Sequence, residues 1–218
     1  MNPLRPLSVP GYRPLFAAMV LTVFAQGAWA LYLAMQTLDL GATAATLSSV
    51  VAWSGIGLLA GSLPAGVLAD RVAKKSIIVG VLTVNLAAST TTSTAAIFDA
   101  ATFWMLAVSA FVIGVSTAFF FPAYTALVPV LVGSDDLMAV NGLEGTTRPL
   151  VGQTLAPGVV GAVIGASVPA AGGYLIAGAL GLALIAALRL PAPCSAETDA
   201  EAPATSARRD LLDGIGDG

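Results

Sequence analysis

The chain has 218 residues, of which 57% are hydrophobic and 10% charged, with a net charge of −3. A soluble surface needs about 25% Asp, Glu, Lys and Arg, so this composition, with a mean hydropathy of +0.89, points to a chain that faces lipid. Nine Lys and Arg against twelve Asp and Glu leave no basic surface for nucleic acid, and the lack of histidine removes His-based triads, haem ligation and most zinc chemistry.

The single cysteine, Cys194, can form neither an intrachain disulfide nor a thiol pair, and no P-loop or GxGxxG cradle is present. No catalytic residue, metal site or cofactor is therefore expected.

Crossing the hydrocarbon core takes about 20 apolar residues in a helix. After a cytoplasmic N-terminus over 1–13, six stretches meet that length, at 14–36, 46–69, 76–97, 102–126, 142–165 and 168–189. The first has a rival reading, because Arg5, Arg13, an apolar run and Ala28-Trp29-Ala30 resemble a cleavable signal peptide. The run continues through Leu31 to Met35, which is long enough to span, so the helix is expected to be retained. The third stretch is interrupted by Thr90-Thr91-Thr92-Ser93-Thr94; hydroxyls that bond back to carbonyls of their own helix make the run tolerable near an interface. The expected fold is an all-α membrane protein, a six-helix bundle over 14–190, followed by a flexible cytosolic linker over 191–218 rich in small residues and proline.

Charge sets the orientation. Arg5 and Arg13 precede the first span, Arg71, Lys74 and Lys75 separate the second from the third, and Arg189, Arg208 and Arg209 follow the sixth. The opposite loops carry only Asp39 and Asp99, so both termini are expected on the cytoplasmic side of a cell inner (plasma) membrane.

Small residues four apart let membrane helices approach closely. Such rows occur at Gly57, Gly61 and Ala65, at Ala110, Gly114 and Ala118, at Gly161 and Gly165, and at Gly173, Ala177 and Gly181. Any single pair is explained by generic packing; rows in four spans indicate one bundle. Thr22, Gln26, Trp29, Leu33 and Gln36 share a narrow arc of the first span, and two amides there are costly against lipid. In the fourth span Ser109, Ser116 and Phe120 align in the same way, beside Ile113 and Thr117. These are candidates for a substrate cavity, with inter-helix hydrogen bonding the alternative for both stripes, and the better one for the fourth span.

The loop after the second span reads Gly66-Val67-Leu68-Ala69-Asp70-Arg71-Val72-Ala73-Lys74-Lys75. It resembles the major facilitator superfamily signature G-x-L-A-D-R-x-G-R-K, with Ala73 and Lys74 departing from it. An ordinary positive-inside loop explains Lys74 and Lys75, but not the embedded Gly66 and Asp70. The stretch Ala118 to Pro129 with Leu137, Ala139 and Asn141, then Arg148, Ala156-Pro157 and Gly161, looks like the enterobactin-exporter and related multidrug exporter branch. The resemblance covers about 10–215. Many antiporters of that family carry a fourth-helix arginine where this chain has Ala110, and a G-P pair where it has Ala156-Pro157.

What the resemblance implies is an N-terminal half of a twelve-helix fold, built as a 3+3 inverted repeat, which exports an amphipathic small molecule or siderophore by alternating access, with proton coupling. Its partners would be the small-molecule substrate, the lipid bilayer and a missing C-terminal half or a second copy; the ending at Arg208 to Gly218 reads as a truncated product or an isolated half. Gly66, Asp70, Arg71, Lys74 and Lys75 would control conformational switching. Glu144 and Arg148, one turn apart near the cytoplasmic end of the fifth span, form either a structural ion pair or a coupling pair. The rival reading is a non-transporting six-helix scaffold or assembly protein.

Overall fold

The computed structural model describes residues 5–190, with the side chains of Val67, Ala69, Asp70 and Asp135 excepted. The linker expected over 191–218, with Cys194, Arg208 and Arg209, lies outside the described residues. All regular structure among the described residues is helical, and six helices are long and apolar enough to cross a membrane. They are α1 (Tyr12–Asp39), α2 (Ala44–Arg71), α3 (Lys74–Ile97), α4 (Phe103–Val132), α5 (Leu137–Ala166) and α6 (Pro169–Leu188).

Each exceeds or nearly fills the expected stretch. The N-termini of α2 and α4 are fixed by Thr43 and Thr102, whose hydroxyls accept from the amides of Thr46 and Met105. The interrupted third stretch is one unbroken helix. Thr90, Thr92, Ser93 and Thr94 each bond back to a carbonyl of α3 three or four residues earlier, so the hydroxyls are satisfied without leaving the helix. Ser89, Thr92 and Ser93 are buried, and the Ser89 hydroxyl reaches across to the carbonyl of Gly173 on α6.

The helices join at one end through the basic segments. The Lys75 ammonium donates to the carbonyls of Leu188 and Leu190, so the start of α3 caps the end of α6, where free carbonyls and the helix dipole both favour a cation. Arg5 pairs with Asp136 at 3.3 Å, tying the segment before α1 to the turn before α5.

Packing follows the small-residue rows. The α2 and α4 rows meet each other: a Cβ on Gly57 would overlap the carbonyl oxygen of Phe111, and one on Gly114 that of Ser54. Gly173 lies against the Tyr32 ring of α1 and Ser93 of α3, whereas Gly165 and Gly181 have nothing within 4 Å. Aromatic side chains of α1 and α4, Tyr12, Tyr32, Phe120 and Tyr124, fill the core.

The interior helix of the set is α1, flanked by α6, α5 and part of α4. By contrast, α2 and α5 are the least covered: 17% of their apolar window is buried, against 44–50% in the other four. Leu59 and Leu63 on α2 and Leu150 and Val159 on α5 are exposed.

One helix is irregular. Between Leu137–Pro149 and Ala156–Ala166, α5 passes through a π-helical segment, Leu150–Leu155. Pro157 follows it; the proline has no N–H for the carbonyl of Gln153 and its ring crowds that group, which favours a locally widened helix.

Candidate functional site

The polar arc of α1 runs through the middle of the bundle. Thr22, Trp29 and Gln36 are buried, and Gln26 is half-buried. The Thr22 hydroxyl bonds back to the Ala18 carbonyl, and the Gln36 amide nitrogen reaches Asp39 at 3.5 Å near the far end of the helix. At the centre, the Gln26 amide nitrogen donates to Thr117 Oγ1 of α4 at 3.4 Å. Thr117 in turn donates to its own Ile113 carbonyl.

Beside this contact lies a cavity of about 420 Å³ between α1, α2 and α4. Its polar lining is Gln26, Trp29, Ser54 and Thr117; Leu33, Val51 and Leu58 supply much of the apolar wall. No Asp, Glu, Lys or Arg lines it. Pockets that hold a small molecule have this mix of apolar wall and few polar groups.

The structure does not gather every sequence-derived candidate here. Gln26 and Trp29 line the cavity and Thr22 sits just behind it. Gln36 lies away from it. On α4, Ser116 borders a separate apolar groove of about 470 Å³ between α2, α3 and α4. Phe120 is buried in a stack with Tyr124, ring centroids 6.1 Å apart, and Ser109 is buried but borders neither space.

Asn85 on α3 was missed by sequence reasoning. It is 3% exposed, with its Oδ1 lacking a partner, and it lies behind Gln26 and Trp29. A lone asparagine in an apolar run was the available signal, since an amide in a membrane helix is costly unless it meets protein or water.

Glu144 and Arg148 make a second polar centre. Glu144 is 7% exposed and enters the bundle about two turns from the start of α5, between α1 and α4. Its Oε1 accepts from the hydroxyl of Tyr12 at 3.1 Å and from that of Tyr124; its Oε2 accepts from Arg148 Nη2 at 2.7 Å. The Arg148 guanidinium also lies over the rings of Phe121 and Tyr124, 5.0 and 5.3 Å from their centroids. The side chain is thus held between a carboxylate and two rings. The carboxylate has a partner from each of three helices, which explains how a charge is tolerated at this depth.

In the α2–α3 segment, Arg71 is exposed in the last turn of α2, Lys74 opens α3, and Lys75 caps α6 as described. A Cβ on Gly66 would meet nothing within 4 Å. The Asp70 side chain lies outside what is described.

A family model described as Major Facilitator Superfamily matches residues 15–213. No curated protein and no solved structure matches the chain.

Proposed function

The chain belongs to the major facilitator superfamily, a family of membrane transporters, and from that premise we propose that it exports an amphipathic small molecule by alternating access, in exchange for protons. The observation that carries the reading is the cavity between α1, α2 and α4: Gln26, Trp29, Ser54 and Thr117 offer polar groups in an otherwise apolar space within a membrane-spanning bundle. A multi-pass membrane protein gains nothing from such a lining unless protein, water or cargo meets it.

On this reading the thinly covered helices α2 and α5 face a second six-helix unit, either the C-terminal half of the fold or another copy. Gly66 then needs no side chain because of a neighbour outside this bundle, since nothing inside it comes within 4 Å. Asp70, Arg71 and Lys74 hold that neighbour on the cytoplasmic side and release it as the units rock. Glu144 and Arg148 act as the coupling pair, the carboxylate joining Arg148 of α5 to the hydroxyls of Tyr12 on α1 and Tyr124 on α4. The asymmetry of Lys and Arg supports a cytoplasmic side for both termini, and the membrane on this reading is the cell inner (plasma) membrane.

The burial of Thr22, Trp29 and Gln36 is equally what a non-transporting six-helix scaffold would show. One assay decides between the two. The purified chain is reconstituted into vesicles, alone and with a second six-helix unit, under an imposed proton gradient and with a panel of amphipathic dyes. Gradient-dependent dye movement that needs the second unit and is lost in Glu144→Gln supports the proposal. Movement by the isolated chain would remove the second unit from it, and no movement in either form leaves the scaffold reading.

A further inference from the structure

Next to the cavity, and sharing Gln26, Trp29 and Ile113 with its lining, is a gap of about 10 Å³ that Thr22, Asn85 and Leu180 also line. It is about the size of one water probe, room for a single polar atom. Two of the residues that line it carry a buried polar atom without a partner: Nε1 of the Trp29 indole and Oδ1 of Asn85. Their side chains are 5% and 3% exposed, so bulk solvent does not satisfy them. One can only donate and the other can only accept.

We propose that this gap is the polar anchor of the cargo cavity and receives one uncharged hydroxyl of an otherwise apolar cargo, which accepts from the Trp29 indole and donates to Asn85 Oδ1. The inference rests on the reading of the neighbouring cavity as the cargo site.

Complementarity selects the group. A hydroxyl is a single heavy atom that donates and accepts at once. A carboxylate would accept from Trp29 but repel the amide oxygen; an ammonium would satisfy Asn85 but meet the indole N–H with a like partial charge. Neither cavity nor gap is lined by an ionisable side chain, so an ion would be desolvated without a counter-charge. The Glu144–Arg148 pair cannot serve, because its charges are engaged with each other and with Tyr12 and Tyr124. In the absence of cargo, one water fits the same place and makes the same two bonds.

The test is a binding comparison, independent of transport. The full chain in lipid nanodiscs carries Trp53→Phe and Trp104→Phe, which leaves Trp29 as the sole indole and its fluorescence as the signal. Four probes share one hexyl-substituted ring: 4-hexylphenol, hexylbenzene, 4-hexylbenzoate and 4-hexylbenzylammonium, each corrected against empty nanodiscs. The expected result is that 4-hexylphenol binds about ten-fold tighter than any of the other three, equivalent to about 1.4 kcal/mol. Asn85→Leu should abolish that preference while leaving hexylbenzene unchanged, and Asn85→Thr, which keeps an acceptor, should retain most of it.

Equal affinities, an ion bound tightest, no phenol binding, or a preference that survives Asn85→Leu would each overturn the assignment. If Asn85→Leu does not fold, the ranking of the four probes on the unsubstituted position decides alone. Hydroxyl-selective binding without gradient-driven transport removes the exporter reading and leaves the anchor. Transport without hydroxyl selectivity does the reverse.

Discussion

Gly27 of α1 and Gly152 of the π-helical segment of α5 approach so closely that a Cβ on Gly27 would overlap the Gly152 carbonyl oxygen. Gly27 belongs to no small-residue row, with Val23 and Leu31 four residues away on either side, yet together the two glycines set the distance between the helices. The obstacle is backbone, which no side-chain rotation relieves. Gly27→Ala should therefore cost about 1–3 kcal/mol through overpacking, read as a lower unfolding midpoint in detergent. Gly55→Ala, with nothing within 4 Å, should match or slightly exceed the unsubstituted chain. Equal midpoints for the two variants would mean that the helices do not meet in this way.

The Glu144 carboxylate is the hub of its cluster, so its loss should exceed the loss of any one donor. Glu144→Gln leaves a half-buried guanidinium without its anion and should cost about 3 kcal/mol, the low end for a buried pair because Arg148 is partly exposed. Tyr124→Phe removes one hydrogen bond and should cost about 1 kcal/mol. In a double-mutant cycle, Glu144→Gln with Arg148→Gln should be less damaging than the sum of the two. Two silent single variants would reduce the pair to an interfacial anchor.

Lys75 ties α3 to α6 through the carbonyls of Leu188 and Leu190. Lys75→Met should loosen that end of the bundle and raise amide exchange at the last turn of α6, for a loss of about 1 kcal/mol. Unchanged exchange there would show that the carbonyls are met by water equally well.

The loop assignment predicts a functional phenotype distinct from the stability effects above. Asp70→Asn, made together with the second six-helix unit, should impair transport while expression stays near normal. Full transport by that variant would remove Asp70 from the switching role.

Orientation is checked with reporter fusions. Those placed after Leu40, Asp99 and Ser167 should report the outside, and those after Lys75 and Asp136 the inside, from the asymmetry of Lys and Arg. An outside signal at Lys75 would invert the topology.

The amino-acid order alone determined the six spans and their helical class among the described residues, because crossing hydrocarbon demands a run of apolar residues whatever the helix later packs against. It also marked the α1 arc and the loop after α2, since polar groups in such a run, and charges at its ends, stand out locally. What it left open depended on distance in space. Periodicity put Ser116 and Phe120 on one face of α4, but a face does not say which neighbour it meets: one borders the α2–α3 groove and the other stacks on Tyr124. The same limit hid Asn85, whose place beside Trp29 follows only from how α3 packs against α4 and α6. Spacing along α5 paired Glu144 with Arg148, but Tyr12 and Tyr124 are 132 and 20 residues away from Glu144 in sequence, and only the packing of α1, α4 and α5 makes one carboxylate the partner of all three.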